Sequence, residues 1–200
     1  MGFKQSQSHG KIYEMIIQKE VFNLTEEEME KHLPTSHYDI EGVFNNNKNC
    51  PNVNISIKSS KSRTIDCGDI IRFLNSTNTK LICVKFEQVK KQKIAYETIC
   101  FDLEEYLSLL EKSMDGDYIN WYQRLEEYVH YIKNDLPKRG RVNQGEYPYL
   151  EKKKALSQSL THFQINPKVD SKTQRRVQCS IRMGVLKDLS SFETFPGAVL

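Results

Sequence analysis

The sequence predicts an α/β domain with a central mixed sheet flanked by helices, and three observations lead there. Stretches of period-two alternation, such as Val53–Lys58, are interleaved with stretches of helical spacing, such as Lys11–Phe22. The 200 residues are 38% hydrophobic and 28% charged, enough apolar material for a packed core and too much for disorder throughout. Turn-forming clusters, NNNKNCPN among them, separate the two kinds of stretch.

Residues 1–10 are polar and are expected to form a flexible N-terminus. In KIYEMIIQKEVF, Ile12, Tyr13, Ile16, Ile17 and Val21 recur at helical steps. In NLTEEEMEKHL, Thr25 sits at an N-cap with Glu28 at the capping-box place, so a second short helix follows, ended by Pro34. Tyr38–Phe44 and Val53–Lys58 flank the Asn-rich turn as two strands. In the second, Val53, Ile55 and Ile57 form an apolar face, and Asn54, Ser56 and Lys58 form a polar one. A polar face on an interior strand is costly unless paired, so it is expected to border water, a metal or a ligand. After the loop SSKSRT, Asp66–Leu74 reads as a short helix with an acid-rich first turn. Lys80–Gln88 and Lys93–Asp102 read as a hairpin around VKKQK. Leu103–Met114 and Asp117–Asn134 read as helices, the latter with a core stripe of Tyr118, Tyr122, Leu125, Val129 and Ile132. From Pro137, LPKRGRVNQGEYPYLEKKK reads as loop or extended chain, and RRVQCSIR as a strand.

Several classes are disfavoured. No stretch approaches 18 apolar residues, so no membrane-crossing helix is expected, and MGFKQSQSHGK lacks the apolar core of a secretory signal. Five cysteines without C-x-x-C spacing argue against a disulfide framework or zinc cluster, and fit a cytoplasmic location. There is no phosphate-loop signature, no G-x-G-x-x-G and no G-x-S-x-G, so no nucleotide cofactor or serine-hydrolase chemistry is expected.

The net charge of +3 hides an asymmetry. Glu97–Asp135 holds ten acids and three bases, whereas Lys138–Arg182 holds eleven bases and three acids. A basic block of this kind can displace counterions from a polyanion, or can simply be a solvated face.

The stretch from Tyr38 to Phe73 carries the chemistry. Asp39 lies on one predicted strand, Lys58 lies 19 residues later on the polar face of the next, and Asp66 and Asp69 follow. Phosphodiester hydrolysis needs hard oxygen ligands for Mg²⁺ and benefits from a cation near the water or the scissile phosphate. Glu41, two residues from Asp39, would share its strand face and is an alternative ligand. This layout resembles the PD-(D/E)XK nuclease superfamily, and more narrowly small type II restriction endonucleases, over about residues 9 to 102. The resemblance implies a restriction-endonuclease-like fold, with Glu14 on the preceding helix, Asp39 as the strand aspartate and Lys58 as the lysine. Ser56 stands where the family usually has an acid two places before the lysine. A Ser-x-Lys version of the family takes the missing acid from the following helix, which here points to Asp69, with Asp66 free to cap that helix. Tyr38 stands in place of the family's proline.

The function implied is Mg²⁺-dependent, sequence-specific hydrolysis of double-stranded DNA, with Asp39, Asp69, Glu14 or Glu41 around the metal. Lys58 would act at the water or phosphate, and Ser56 behind them. Within the basic block, Arg139, Arg141, Lys172, Arg175, Arg176 and Arg182 are candidate DNA contacts, Arg175 and Arg176 the better suited to reading bases. Cutting a palindromic site implies a homodimer, with the Tyr/Trp stripe of the acidic helices 103–134 as its interface. In this reading 11–136 is the nuclease core and 137–200 a basic, DNA-contacting segment of the same domain. The alternatives are a nuclease-fold protein that binds DNA without cutting it, and a protein whose basic block docks an acidic partner.

Overall fold

The computed structural model describes residues 12–31, 38–48, 50–90, 92–136, 149–158, 160–169 and 175–197, without the side chains of 30 and 31. The architecture is mixed α/β, with sheets flanked by helices. The chain forms two compact units, the first drawn from Met1–Ile65, Ser76–Tyr106 and Met183–Leu200, the second from Asp66–Asn75 and Leu107–Arg182.

The first unit is built on a four-stranded mixed sheet in the order β1-β3-β4-β7. Here β1 is Asn54–Ser60, β3 Thr79–Val89, β4 Gln92–Asp102 and β7 Glu193–Pro196. β1 runs parallel to β3, and the other two pairings are antiparallel. β3 and β4 form the expected hairpin, with a register shift between Lys85 and Phe86. The period-two alternation sets the faces: Ile55 and Ile57 are buried, and Asn54, Ser56 and Lys58 are half-buried on the other side. Helix α1 spans 12–16 and continues as one π turn, Ile17–Val21. It lays Tyr13 and Ile17 on Ile55, Ile57, Ile82, Val84 and Phe86, and Tyr13 stacks on Phe86 at 5.8 Å between centroids. Each such isoleucine contributes roughly 1.5–3 kcal/mol by leaving water. Helix α2, Glu26–Lys31, begins with the predicted capping box: Thr25 N–H donates to Glu28 Oε2 at 2.8 Å and Glu28 N–H to Thr25 Oγ1 at 3.2 Å.

Two expectations need correction here. Tyr38–Phe44 is not a strand. Only Ile40 bridges Ile55, and a 3-10 turn, Gly42–Phe44, follows at once. Asparagine side chains take the place of a ladder: Asn54 Oδ1 accepts the Gly42 N–H at 2.8 Å, and Asn45 Nδ2 donates to the Cys50 and Val53 carbonyls at 2.8 and 2.7 Å. Likewise, Asp66–Leu74 is not one helix. Strand β2, Thr64–Asp69, precedes a short helix α3, Ile70–Leu74. Ile65 and Cys67 alternate inward with Asp66 outward, a period-two signal, and Gly68 at φ +80° turns the chain towards α3.

The second unit carries a sheet in the order β2-β6-β5, with β5 Phe163–Lys168 antiparallel to β6 Arg176–Arg182. Helix α4, Leu103–Lys112, leads into it, and α5, Tyr118–His130, continues as a π turn, Tyr131–Asp135. Helix α6, Tyr149–Ser157, covers part of the stretch read as loop, because the Lys-rich run EKKKAL propagates a helix well. Of the expected α5 stripe Leu125, Val129 and Ile132 are buried and Tyr118 and Tyr122 only half-buried, and the core is completed by Trp121 and Tyr128; Trp121 Nε1–H donates to the Leu156 carbonyl at 2.9 Å, and its ring packs edge-on to Phe163. Trp121, part of the expected dimer interface, is covered within the chain. No helix among the described residues is long and apolar enough to cross a membrane.

Candidate functional site

β1 is an edge strand, and the segment 38–41 runs beside it. The Asp39 and Ile40 N–H groups both donate to the Ile55 carbonyl, at 2.9 and 3.1 Å, and Ile55 N–H returns a bond to the Ile40 carbonyl at 2.8 Å. This single bridge fixes Asp39 against β1 just as the chain turns away. Its carboxylate then reaches two residues further along. Asp39 Oδ2 accepts the edge N–H of Ile57 at 2.5 Å, the Lys58 ammonium at 3.3 Å and the Ser56 hydroxyl at 3.5 Å. Lys58 Nζ also donates to the Ile57 carbonyl at 3.1 Å. Three residues singled out in the sequence therefore meet on one oxygen.

The two charged side chains keep 23% (Asp39) and 25% (Lys58) of their surface open to solvent. That is enough for a ligand to reach them. Among the described residues the hydrogen bonds to the Asp39 carboxylate all fall on Oδ2, and none falls on Oδ1.

Gln18 is a site residue that sequence reasoning misses. It is buried on the π turn that ends α1, and its Nε2–H donates to the Asp39 backbone carbonyl at 2.8 Å, tying helix to site. Its signal in the sequence is a polar residue four places after Glu14, inside an apolar helical stripe. Glu14 itself is half-buried on α1, one turn before Gln18.

The other candidates are placed differently. Because 38–44 is no strand, period two does not put Glu41 on the Asp39 face. Glu41 lines a cleft of about 430 Å³ with Tyr38, Asn52, Asn54 and Asn78. Asp69 belongs to the second unit, where it is the N-cap of α3: Oδ1 accepts the Arg72 N–H at 3.2 Å, and Oδ2 lies 3.9 Å from Lys133 Nζ. The capping task expected of Asp66 thus falls to Asp69, and Asp66 Oδ1 instead accepts the Gly68 N–H at 3.1 Å. Among the described residues no group of three or more His, Cys, Asp or Glu side chains converges as a metal cage.

Of the basic candidates, Arg139, Arg141 and Lys172 lie outside the described residues. Arg176 and Arg182 are exposed on β6. Arg175 is buried, with Nε–H donating to the Val169 carbonyl at 3.1 Å, so it does not present its guanidinium outward as base reading requires.

Compared with known protein families, curated proteins and solved structures, the chain matches none.

Proposed function

We propose that the first unit is a nuclease of the restriction-endonuclease-like kind, hydrolysing double-stranded DNA with Mg²⁺ at Asp39 and Lys58. The observation that carries this reading is the meeting of Asp39, Ser56 and Lys58 on one half-open edge of β1, from positions 17 to 19 residues apart. Mg²⁺ is commonly held by one or two carboxylates, with water and substrate phosphate completing its shell. Asp39 suits that mode, since three donors hold Oδ2, no hydrogen bond among the described residues falls on Oδ1, and the side chain is partly exposed. The metal, when bound, lowers the pKa of a water and offsets phosphate charge. Lys58 supplies the cation for the developing charge on the phosphate or for orienting the attacking water. Ser56 and the Ile57 N–H hold the carboxylate, and Gln18 holds its backbone; these are positioning residues. Arg176 and Arg182 remain candidate DNA contacts on β6. A palindromic target would call for a homodimer, read by sedimentation with and without DNA.

The test uses mixed plasmid and phage DNA with Mg²⁺ or EDTA. Discrete fragments from wild-type protein in Mg²⁺, lost in Lys58→Ala, are expected. A smear would keep the hydrolysis and remove sequence specificity. A second reading, a DNA-binding protein of the same kind that does not cut, is favoured by Ser56, whose hydroxyl stands where a second carboxylate would serve the metal. Intact DNA in every lane, with a metal-independent gel shift, would select it.

A further inference from the structure

A cavity of about 570 Å³ opens in the first unit, on the sheet face that α1 covers. Lys80 stands beside Ile55 and Ile82 beside Ile57, so both face α1, while Ser56 and Lys58 face away from it. Cys100 stands beside Ile82, and Glu193 beside Cys100, which carries the floor across to β7. The π turn that ends α1 brings Glu20 and Val21 to the cavity, followed by Phe22. Asn47 Nδ2–H ties the side wall to the Val21 carbonyl at 3.4 Å. The volume lies in the range of small-molecule sites, roughly 300–1,000 Å³.

The lining carries charges of both signs. Lys80 is the ammonium, with 20% of its side chain exposed. The carboxylate oxygens beside it, Asp102 Oδ1 and Glu193 Oε2, lie at 3.7 and 4.0 Å. Both distances exceed hydrogen-bond reach, so among the described residues these ion pairs hold Lys80 without satisfying its N–H groups. Burial opposes its charge, but Cys100, Asp102 and Glu193 outweigh burial and raise its pKa, so Lys80 is a cation at neutral pH. Two carboxylates, Glu20 and Glu193, line the same cavity, and Val21, Phe22, Ile82 and Phe195 give it apolar walls.

These groups select a ligand. A simple anion would suit Lys80 and be repelled by Glu20 and Glu193. A simple amine would suit the carboxylates and leave the Lys80 N–H groups unpaired. A compact zwitterion answers both, and Lys80 and Glu193 stand 4.0 Å apart to receive its two charges. An apolar body on the same molecule would rest on the walls.

We propose that this cavity binds a free α-amino acid with an apolar side chain, its carboxylate on Lys80, its ammonium on Glu193 and Glu20, and its side chain against Phe22 and Phe195. The proposal does not rest on the nuclease reading.

Cys50 gives the test its location. It lines the cavity, and it is the one cysteine of the five that is not buried. Iodoacetamide is expected to label Cys50 of the wild-type protein, read by mass spectrometry, and saturating L-leucine or L-phenylalanine is expected to slow that labelling. Isothermal titration calorimetry reads the affinities. Phenethylamine and phenylpropionate each keep one charge of phenylalanine, and each is expected to bind about tenfold more weakly, the loss of one charge-assisted hydrogen bond. In Lys80→Met, phenylalanine is expected to fall to the affinity of phenethylamine. In Glu193→Gln it is expected to fall towards that of phenylpropionate. Circular dichroism checks that each variant is folded; if Lys80→Met is not, Glu193→Gln and the wild-type ligand series decide. Wild-type protein that binds neither amino acid overturns the proposal. So does phenethylamine that binds as tightly as phenylalanine, or amino-acid binding that leaves Cys50 labelling unchanged.

Discussion

Lys58 and Asp39 stand 19 residues apart in the chain and meet at 3.3 Å beside the edge strand β1. Lys58 is legible because period two puts it on the polar face of a strand whose other face is apolar. Asp39 enters through the resemblance, because the strand expected around it reduces to the single Ile40–Ile55 bridge. Lys58→Ala is expected to lower cleavage by about 10²- to 10³-fold, the usual loss when one charge-stabilising donor is removed. Its melting temperature is expected to change little, because the pair is partly exposed and such pairs contribute about 0–1 kcal/mol. A Lys58→Ala protein that unfolds, or that cuts at wild-type rate, would make the pair structural. Asp66 and Asp69 show the limit of single-residue reading, because which acid caps a helix depends on where β2 stops, and it stops at Asp69. Glu105 has no signal in the sequence at all. Its carboxylate accepts the Ser191 hydroxyl and N–H and then the Ser190 N–H and hydroxyl, bonds that hold its pKa at about 2 against an ordinary 4.5. A depressed carboxylate pKa stabilises the fold above about 4.5, and that contribution fades as the pH falls towards 2. Glu105→Gln is therefore expected to melt below wild type at pH 7, with the gap closing between pH 4.5 and 2 in thermal scans.

Elements are legible where one periodicity runs long enough. β1, the hairpin and α5 each repeat a pattern over several turns or pleats, and packing follows the pattern. The short segments are not legible in this way. In 38–44, asparagine side chains bond backbone groups that a strand would have paired, and this competition has no periodic signature. Gly42 is the position that shows it best. A Cβ built there would lie 2.5 Å from the Asn52 carbonyl oxygen and 2.9 Å from its carbon, both backbone atoms that cannot swing aside. Gly42→Ala is expected to destabilise by roughly 1–3 kcal/mol, as overpacking does. Because Gly42 follows Asp39 by three residues, the displaced segment is also expected to carry the carboxylate away from Ile57 and Lys58. Cleavage would then fall more than the loss of folded protein explains, measured as activity per folded molecule. An unchanged denaturation midpoint would show that the close approach to Asn52 relaxes freely.

At the scale of the whole chain, charge and contact divide the molecule differently. The sequence suggests a core over 11–136 and a basic segment of the same domain over 137–200, because the sign of the charge changes there. The contact units are interleaved along the chain: it leaves the first at Ile65, returns at Ser76, leaves at Tyr106 and returns at Met183. What closes the first unit is its last segment. β7 pairs with β4 from Glu97 to Cys100, Thr98 Oγ1–H donates to the Gly197 carbonyl at 2.7 Å, and Ser190 and Ser191 satisfy Glu105. Composition does not show this, since a four-residue strand carries almost no periodic signal. The two partitions make opposite predictions. If 137–200 were only a DNA-contacting segment, a chain ending at 136 would fold and merely lose affinity. With β7 closing the sheet, that chain, and even one ending at 182, exposes the β4 edge and strands the Glu105 carboxylate. An uncovered edge strand invites pairing between molecules. The fragment 1–182 is therefore expected to aggregate or melt well below the full chain, in circular dichroism and light scattering, although it keeps the whole basic block. A soluble 1–182 with an unchanged melting temperature would restore the charge boundary as the structural one.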